Sequence, residues 1–242
     1  MYTVKDFDFL MKIQETKPDI YEYIEHLNNE FHQDLSLGCH EVSNIISLIF
    51  GNFQLIELTN PQIRQNLRWQ QMNEDIRYLI HFMESISVFR YAQSISPVST
   101  KADAYIYDLA DTLFKSSVYS SLHILLYTNP AIPEISMDRS KIAYIIKSVL
   151  DNIADNNTPG DVDISLVAEG TDILITISDN ISYLSPEIQE KLFRPFTTSK
   201  QYHPGLSLAA SSRIMLAHNG CMEYHANAQG GSSFVLRFRK VR

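Results

Sequence analysis

Cysteine is almost missing from this sequence: the two present, Cys39 and Cys221, are far apart and match no ligand spacing. A disulfide framework and a zinc site are therefore excluded as organising devices, and a reduced setting is expected. Basic residues are in the minority, 20 Lys and Arg against 28 Asp and Glu, for a net charge of −8. A chain so charged lacks the broad cationic face that phosphate-backbone binding needs, so no nucleic acid partner is expected. No uninterrupted apolar run approaches the roughly 20 residues of a spanning helix. The N-terminus, MYTVKDFDFLMK, carries charge throughout and has no signal-peptide core. The expectation is a cytoplasmic protein with no membrane insertion by this chain.

Helix breakers are also scarce in the first half. Between Asp19 and Ile95 only Pro61, Gly38 and Gly51 interrupt the chain. Leu35, Cys39, Val42, Ile46, Ile49, Phe53 and Ile56 recur in a heptad-like rhythm. Asn60-Pro61 ends that helix, because proline disfavours helix at the residue before it. The rhythm resumes with Met72, Ile76, Leu79, Met83 and Ile86. Two helices of roughly 30 to 40 residues, joined by a short break, predict an antiparallel hairpin. Such a hairpin cannot cover both seams, so a homodimeric four-helix bundle is expected. Residues 1–30 read as an input helix or an extension of this bundle.

The texture changes after Ser94–Thr100, a small, polar stretch read as a linker. Asp103–Ser116 reads as helix, with Ser99 or Thr100 as its cap. Ser117–Tyr127 reads as strand, and Asp138–Ala154 has helical periodicity. Asp163–Ala168 and Ile173–Ser178 alternate around Glu169-Gly170-Thr171-Asp172, a hairpin signal. Ser232–Arg239 alternates again. The second half is thus α+β, and the expected domains are 1–96, a helical hairpin, and 97–242, a sheet beneath helices.

Four stretches can carry chemistry, and each has a plainer reading beside it. His40 flanks the first seam, with Glu41 next to it and Asn44 one helical turn on. Glu41 can take the imidazole proton and Asn44 can position a water or phosphoryl group, or His40 is merely a surface histidine. Asn152 and Asp155 lie near the end of an amphipathic helix, where an amide oxygen can ligate a hard cation, or where Asn and Asp merely terminate the helix. Asp179 follows a strand and can accept from an exocyclic amine, or Asp179-Asn180 is only a turn. Phe193–Leu208 combines two phenylalanines, Lys200 and Gly205 ahead of a probable helix, whose N-terminus suits an anion. The plainer reading is a loop that buries two aromatics.

The order of these stretches resembles the sensor histidine kinases of two-component systems, over about residues 30–240. Those proteins join a dimerisation and phosphoacceptor hairpin to a GHKL-type ATPase domain. His40-Glu41-x-x-Asn44 resembles their H-box, and Ser148–Asn152 their N-box, with Ser148 in place of the first asparagine. Asp179 resembles the start of the first glycine box, Phe193-Arg-Pro-Phe196 the F-box, and Gly205-Leu206-Ser-Leu208 the second glycine box. The resemblance implies autophosphorylation of His40 from ATP and transfer to a response-regulator receiver domain. It implies Asn152 as the Mg²⁺ ligand, and Asp155, Asp179, Lys200, Gly205 and Leu206 as further nucleotide-site residues. Glycines of both glycine boxes are replaced, by Ile181 and Tyr183 in the first and by His203 and Ser207 in the second. β-Branched Ile181 fits positive φ badly, so this loop is expected to take another shape, or the pocket to be partly filled by Ile181 and Tyr183. The alternative function is a histidine phosphotransferase or phosphatase with an ATPase-like domain that holds ATP poorly.

Overall fold

The computed structural model describes residues 12–13, 16–129, 132–155, 158–182, 184–200, 202–227 and 230–239. It forms two compact units, Met1–Met83 and Glu84–Arg242. The division falls inside a helix, upstream of the linker expected near residue 96.

The first unit is the predicted hairpin. Helix α1 runs Pro18–Thr59 for 42 residues, a 3₁₀ turn covers Pro61–Gln65, and α2 runs Leu67–Arg90 for 24 residues. The second helix is shorter than the expected 30 to 40 residues, because Asn60-Pro61 opens a 3₁₀ turn and α2 starts only at Leu67. Half-buried Glu57 secures the turn: it accepts from Trp69 Nε1 at 2.8 Å and from Arg64 Nε at 3.2 Å. Trp69 also stacks on Phe53 with centroids 4.3 Å apart.

The heptad seam splits into two faces. Ile46 is 8% exposed, and Cys39 and Phe53 are half-buried on its stripe. Val42, Ile49 and Ile56, one position family over, are 46%, 44% and 42% exposed. Leu35–Thr59 is long and apolar enough to cross a membrane by length and composition. That differs from the expectation of no such run. Its apolar residues lie in stripes broken by His40, Glu41, Asn44, Asn52 and Glu57, the pattern of a bundle helix.

In the second unit, strand β1 (Val98–Thr100) pairs antiparallel with β3 (Ile135–Met137), so the end of the expected linker is a strand. Helix α3 (Ala102–Phe114) starts from Lys101 without a side-chain cap, not from Ser99 or Thr100. The stretch read as strand from Ser117 begins with a 3₁₀ turn, Ser117–Tyr119, before β2 (Leu122–Thr128). Helix α4 (Arg139–Ala154) is capped by Asp138, whose carboxylate accepts from Lys141 N–H. Strands β4 (Gly160–Glu169) and β5 (Asp172–Asp179) form the predicted hairpin. The short helix α5 (Pro186–Gln189) and α6 (Ser207–Ala217) follow. Strands β6 (Cys221–Ala226), which the sequence reading missed, and β7 (Ser232–Arg239) close the sheet.

The five-stranded order is β2-β4-β5-β7-β6, with β2 parallel to β4 and every other pair antiparallel. Parallel β2 and β4 require a crossover, and α4 supplies it. One row per strand points into the core: Val162, Ile164 and Leu166; Ile173, Ile175 and Ile177; Phe234, Leu236 and Phe238. Ile142, Ile145, Ile146, Val149, Leu150 and Ile153 of α4 meet them, all buried as the periodicity predicted. Each such side chain contributes about 1.5–3 kcal/mol by leaving water. Val88 and Phe89, at the end of α2, and Ala92, in the turn just after it, join the same core. That packing is why the unit begins within α2.

Candidate functional site

His40 lies exposed on α1, and its Nδ1 is 3.1 Å from Asn44 Nδ2. Positions four apart share a helix face, so the sequence spacing alone produces this pair. The amide nitrogen donates when Nδ1 is unprotonated; the amide turned over accepts from Nδ1–H and leaves the Nε2 lone pair free. Glu41 is exposed on the neighbouring face, and the imidazole bonds to Asn44.

The second cluster sits at one end of the sheet. Alternation along β5 brings Ile173, Ile175, Ile177 and then Asp179 to the core face. Ser232 opens β7 on the same face, ahead of Phe234. A polar pair therefore ends two apolar rows: Asp179 is 4% exposed and Ser232 is 1%. Asp179 Oδ2 accepts from Ser232 Oγ at 2.8 Å. Its Oδ1 accepts from Ile181 N at 2.8 Å and from Ser182 N. Its backbone oxygen accepts from Asn227 Nδ2 at 3.1 Å. Gly231, at φ +87°, allows this approach, since a Cβ there would lie 2.0 Å from Asp179 O. Three hydrogen bonds leave the carboxylate one lone-pair direction for a donor. Sequence reasoning missed Ser232 and Asn227 as site residues; the strand alternation that carried Asp179 inward was the available signal for Ser232.

The third cluster is at the end of α4, whose chain leads directly to β4 and so to the same end of the sheet. Asn152 Nδ2 donates to Ser148 O at 2.8 Å, which leaves its amide oxygen. Lys200 Nζ donates to Asn152 O at 3.1 Å and to Asp155 Oδ2 at 2.9 Å. His203 Nε2 lies 3.7 Å from the same Asp155 oxygen. Asn152, Asp155 and Lys200 are thus brought together. Lys200 belongs to the loop before α6, so these contacts tie that loop to α4. Gly205, at φ +65°, lets the chain pass Thr197, whose oxygen would be 2.7 Å from a Cβ. Buried Leu206 precedes Ser207, and α6 has no side-chain cap at its N-terminus. Its first N–H groups are therefore open to an anion.

Ile181 does not take the positive φ that a glycine at its position would allow. Positive φ at non-glycine positions among the described residues occurs at Phe196, Tyr202 and Asn219, not at Ile181. Tyr183 lies outside the described residues.

Residues 137–242 match the family described as Histidine kinase-, DNA gyrase B-, and HSP90-like ATPase. The sensory histidine kinase/phosphatase NtrB of Rhizobium meliloti (strain 1021) is 23% identical over 205 residues, covering 78% of this chain and 53% of its own. The full-length ShkA structure in complex with AMPPNP gives a TM-score of 0.71 at 18% identity, over 86% of this chain and 46% of that one. The histidine kinase ThkA in complex with the response regulator protein TrrA gives 0.60 at 15% identity, over 97% and 67%. The chain spans about half the length of the curated relative named here. Residues 137–242 thus carry a domain similar to that ATPase family, and the chain as a whole, a long helical hairpin followed by an α/β domain, is similar to sensor histidine kinases in sequence and fold.

Proposed function

We propose that this chain is a signal-transduction histidine kinase that autophosphorylates His40 from ATP and passes the phosphoryl group to a response-regulator aspartate. One observation carries the reading: an exposed imidazole, tied through one nitrogen to Asn44, shares a chain with a domain of the ATPase family. Residues 1–96 act as the dimerisation and phosphoacceptor part and 97–242 as the catalytic part.

The second unit has groups suited to Mg-ATP. The free direction of Asp179 accepts from the adenine exocyclic amine. The amide oxygen of Asn152 ligates Mg²⁺, which supplies charge neutralisation to the phosphates. The open α6 N-terminus after Gly205 and Leu206 meets phosphate oxygens. Lys200, held by Asp155, adds positive charge from the loop side. With Asn44 accepting from Nδ1–H, His40 Nε2 attacks the γ-phosphorus, the bond to the ADP oxygen breaks, and Glu41 or water takes the Nδ1 proton. Positioning and charge neutralisation supply most of the rate. The receiver aspartate then attacks the same phosphorus and restores the imidazole. The alternative, a histidine phosphotransferase or phosphatase that holds ATP poorly, is less favoured, since the relatives are named as kinases, NtrB as a kinase/phosphatase.

The exposed row of Val42, Ile49 and Ile56 fits a second copy of the hairpin, which gives a homodimer. We assign the chain to the cytoplasm. The test is incubation with γ-labelled Mg-ATP and mapping of acid-labile phosphate. Label on His40, lost in His40→Gln, supports the reading; label that persists in His40→Gln overturns it.

A further inference from the structure

Continuing the β4–β5 register past Val162↔Asp179 brings Asp161 beside Asn180 and Gly160 beside Ile181. Both pairs are engaged. Asp161 N donates to Asn180 Oδ1 at 3.0 Å, and Asn180 Nδ2 donates back to Asp161 Oδ2 at 3.2 Å. Ile181 lies directly over Gly160: a Cβ at 160 would be 2.5 Å from Ile181 Cγ2 and 2.9 Å from Cδ1. The isoleucine thus occupies the space that a side chain at 160 would fill, and packs against the domain core. The residue so anchored is the one whose N–H, with that of Ser182, is bonded to Asp179 Oδ1.

We propose that Ile181 seated on Gly160, with Asn180 latched to Asp161, is a positioning device that presets the Asp179 carboxylate for an adenine amine and replaces the glycines of the first glycine box. The proposal rests on the reading of Asp179 as the adenine acceptor. Its physical basis is pre-organisation. A loop already held in its binding shape loses less freedom when ligand arrives, and glycine at 181 would return that freedom to it. Restoring the glycine typical of the family should therefore weaken binding here.

The probes are ATP and ITP with Mg²⁺. ITP has a carbonyl where ATP has the exocyclic amine, so the ratio of their Kd values reports the bond to Asp179. The wild type should prefer ATP. Ile181→Gly should weaken ATP by roughly three- to tenfold, with little change in ITP, since the loss is one of pre-organisation at the amine acceptor. Ile181→Val, which keeps the branched side chain, should retain the preference. Gly160→Ala, whose Cβ would crowd both Ile181 and Asn180 Oδ1, should reproduce the loss. In the nucleotide-free protein, Ile181→Gly should speed amide exchange at Ser182. A preserved ATP/ITP ratio with unchanged exchange, or tighter ATP binding, in Ile181→Gly overturns the proposal. A wild type that does not discriminate between ATP and ITP overturns the adenine reading of Asp179 and the proposal with it.

Discussion

Ser232 Oγ donates to Asp179 Oδ2 at 2.8 Å, and the two residues end adjacent buried rows of the sheet. Removing the hydroxyl leaves one oxygen of a buried carboxylate without its donor, which costs roughly 1–3 kcal/mol. Ser232→Ala should lower the urea midpoint by that order and weaken ATP binding. Ser232→Thr should preserve most of both. Parallel denaturation and calorimetric titration check this.

Asn152 has one amide end committed to Ser148 O and the other available. Asn152→Ala should abolish Mg²⁺-dependent nucleotide binding while leaving the melting temperature within a few degrees. Asn152→Asp should keep metal-dependent binding, since a carboxylate oxygen also suits a hard cation. Titrations with and without Mg²⁺ decide it; binding that is indifferent to Asn152→Ala would place the metal elsewhere.

Asn44 touches the imidazole, so the two hairpin substitutions should separate. His40→Gln should eliminate acid-labile phosphate. Asn44→Ala should spare transfer but slow any hydrolysis of the regulator phosphate, measured with a phosphorylated receiver as donor.

Ile46 and Ile49 are three residues apart, but Ile46 is 8% exposed and Ile49 44%, on the row proposed to meet a second copy. Ile49→Asp should dissociate the dimer and keep the helix content, as light scattering and circular dichroism would show. Ile46→Asp places a charge on the buried stripe inside the hairpin itself and should lower helix content as well.

The Asp138 carboxylate is pushed up by burial, but donors at Ser96, Ser140 and Lys141 outweigh this and hold its pKa below the ordinary value. A group depressed on folding stabilises above its unfolded pKa, and that contribution is lost as pH falls through the folded pKa. Asp138→Asn keeps one acceptor for the cap but turns an amide N–H toward another donor, and should therefore cost roughly 1–3 kcal/mol near neutrality. The two proteins should converge as pH falls through the lowered pKa of folded Asp138. Denaturant midpoints across that range test the sign.

Local pattern made much of this molecule legible. The apolar stripe of α4, the β4–β5 hairpin and β7 follow from periods of 3.6 and 2, which depend on neighbours in sequence. The His40–Asn44 pair follows from helix spacing for the same reason. Strand β6 was missed because Cys221–Ala226 alternates only weakly, and its pairing with β7 supplies what its own residues do not. The linker that ended as β1 was recruited by β3, more than thirty residues later.

The sequence by itself determined that Asp179 would end a strand and that Ile181 follows it two residues on. Only the tertiary structure decided what that isoleucine packs against. Ile181 is accommodated because Gly160 lacks a side chain, and Asp179 is held because Ser232 and Gly231 arrive from β7. Those contacts join positions about twenty and fifty residues apart, and pairing across a sheet is set by packing the whole core, not by any stretch of chain read alone.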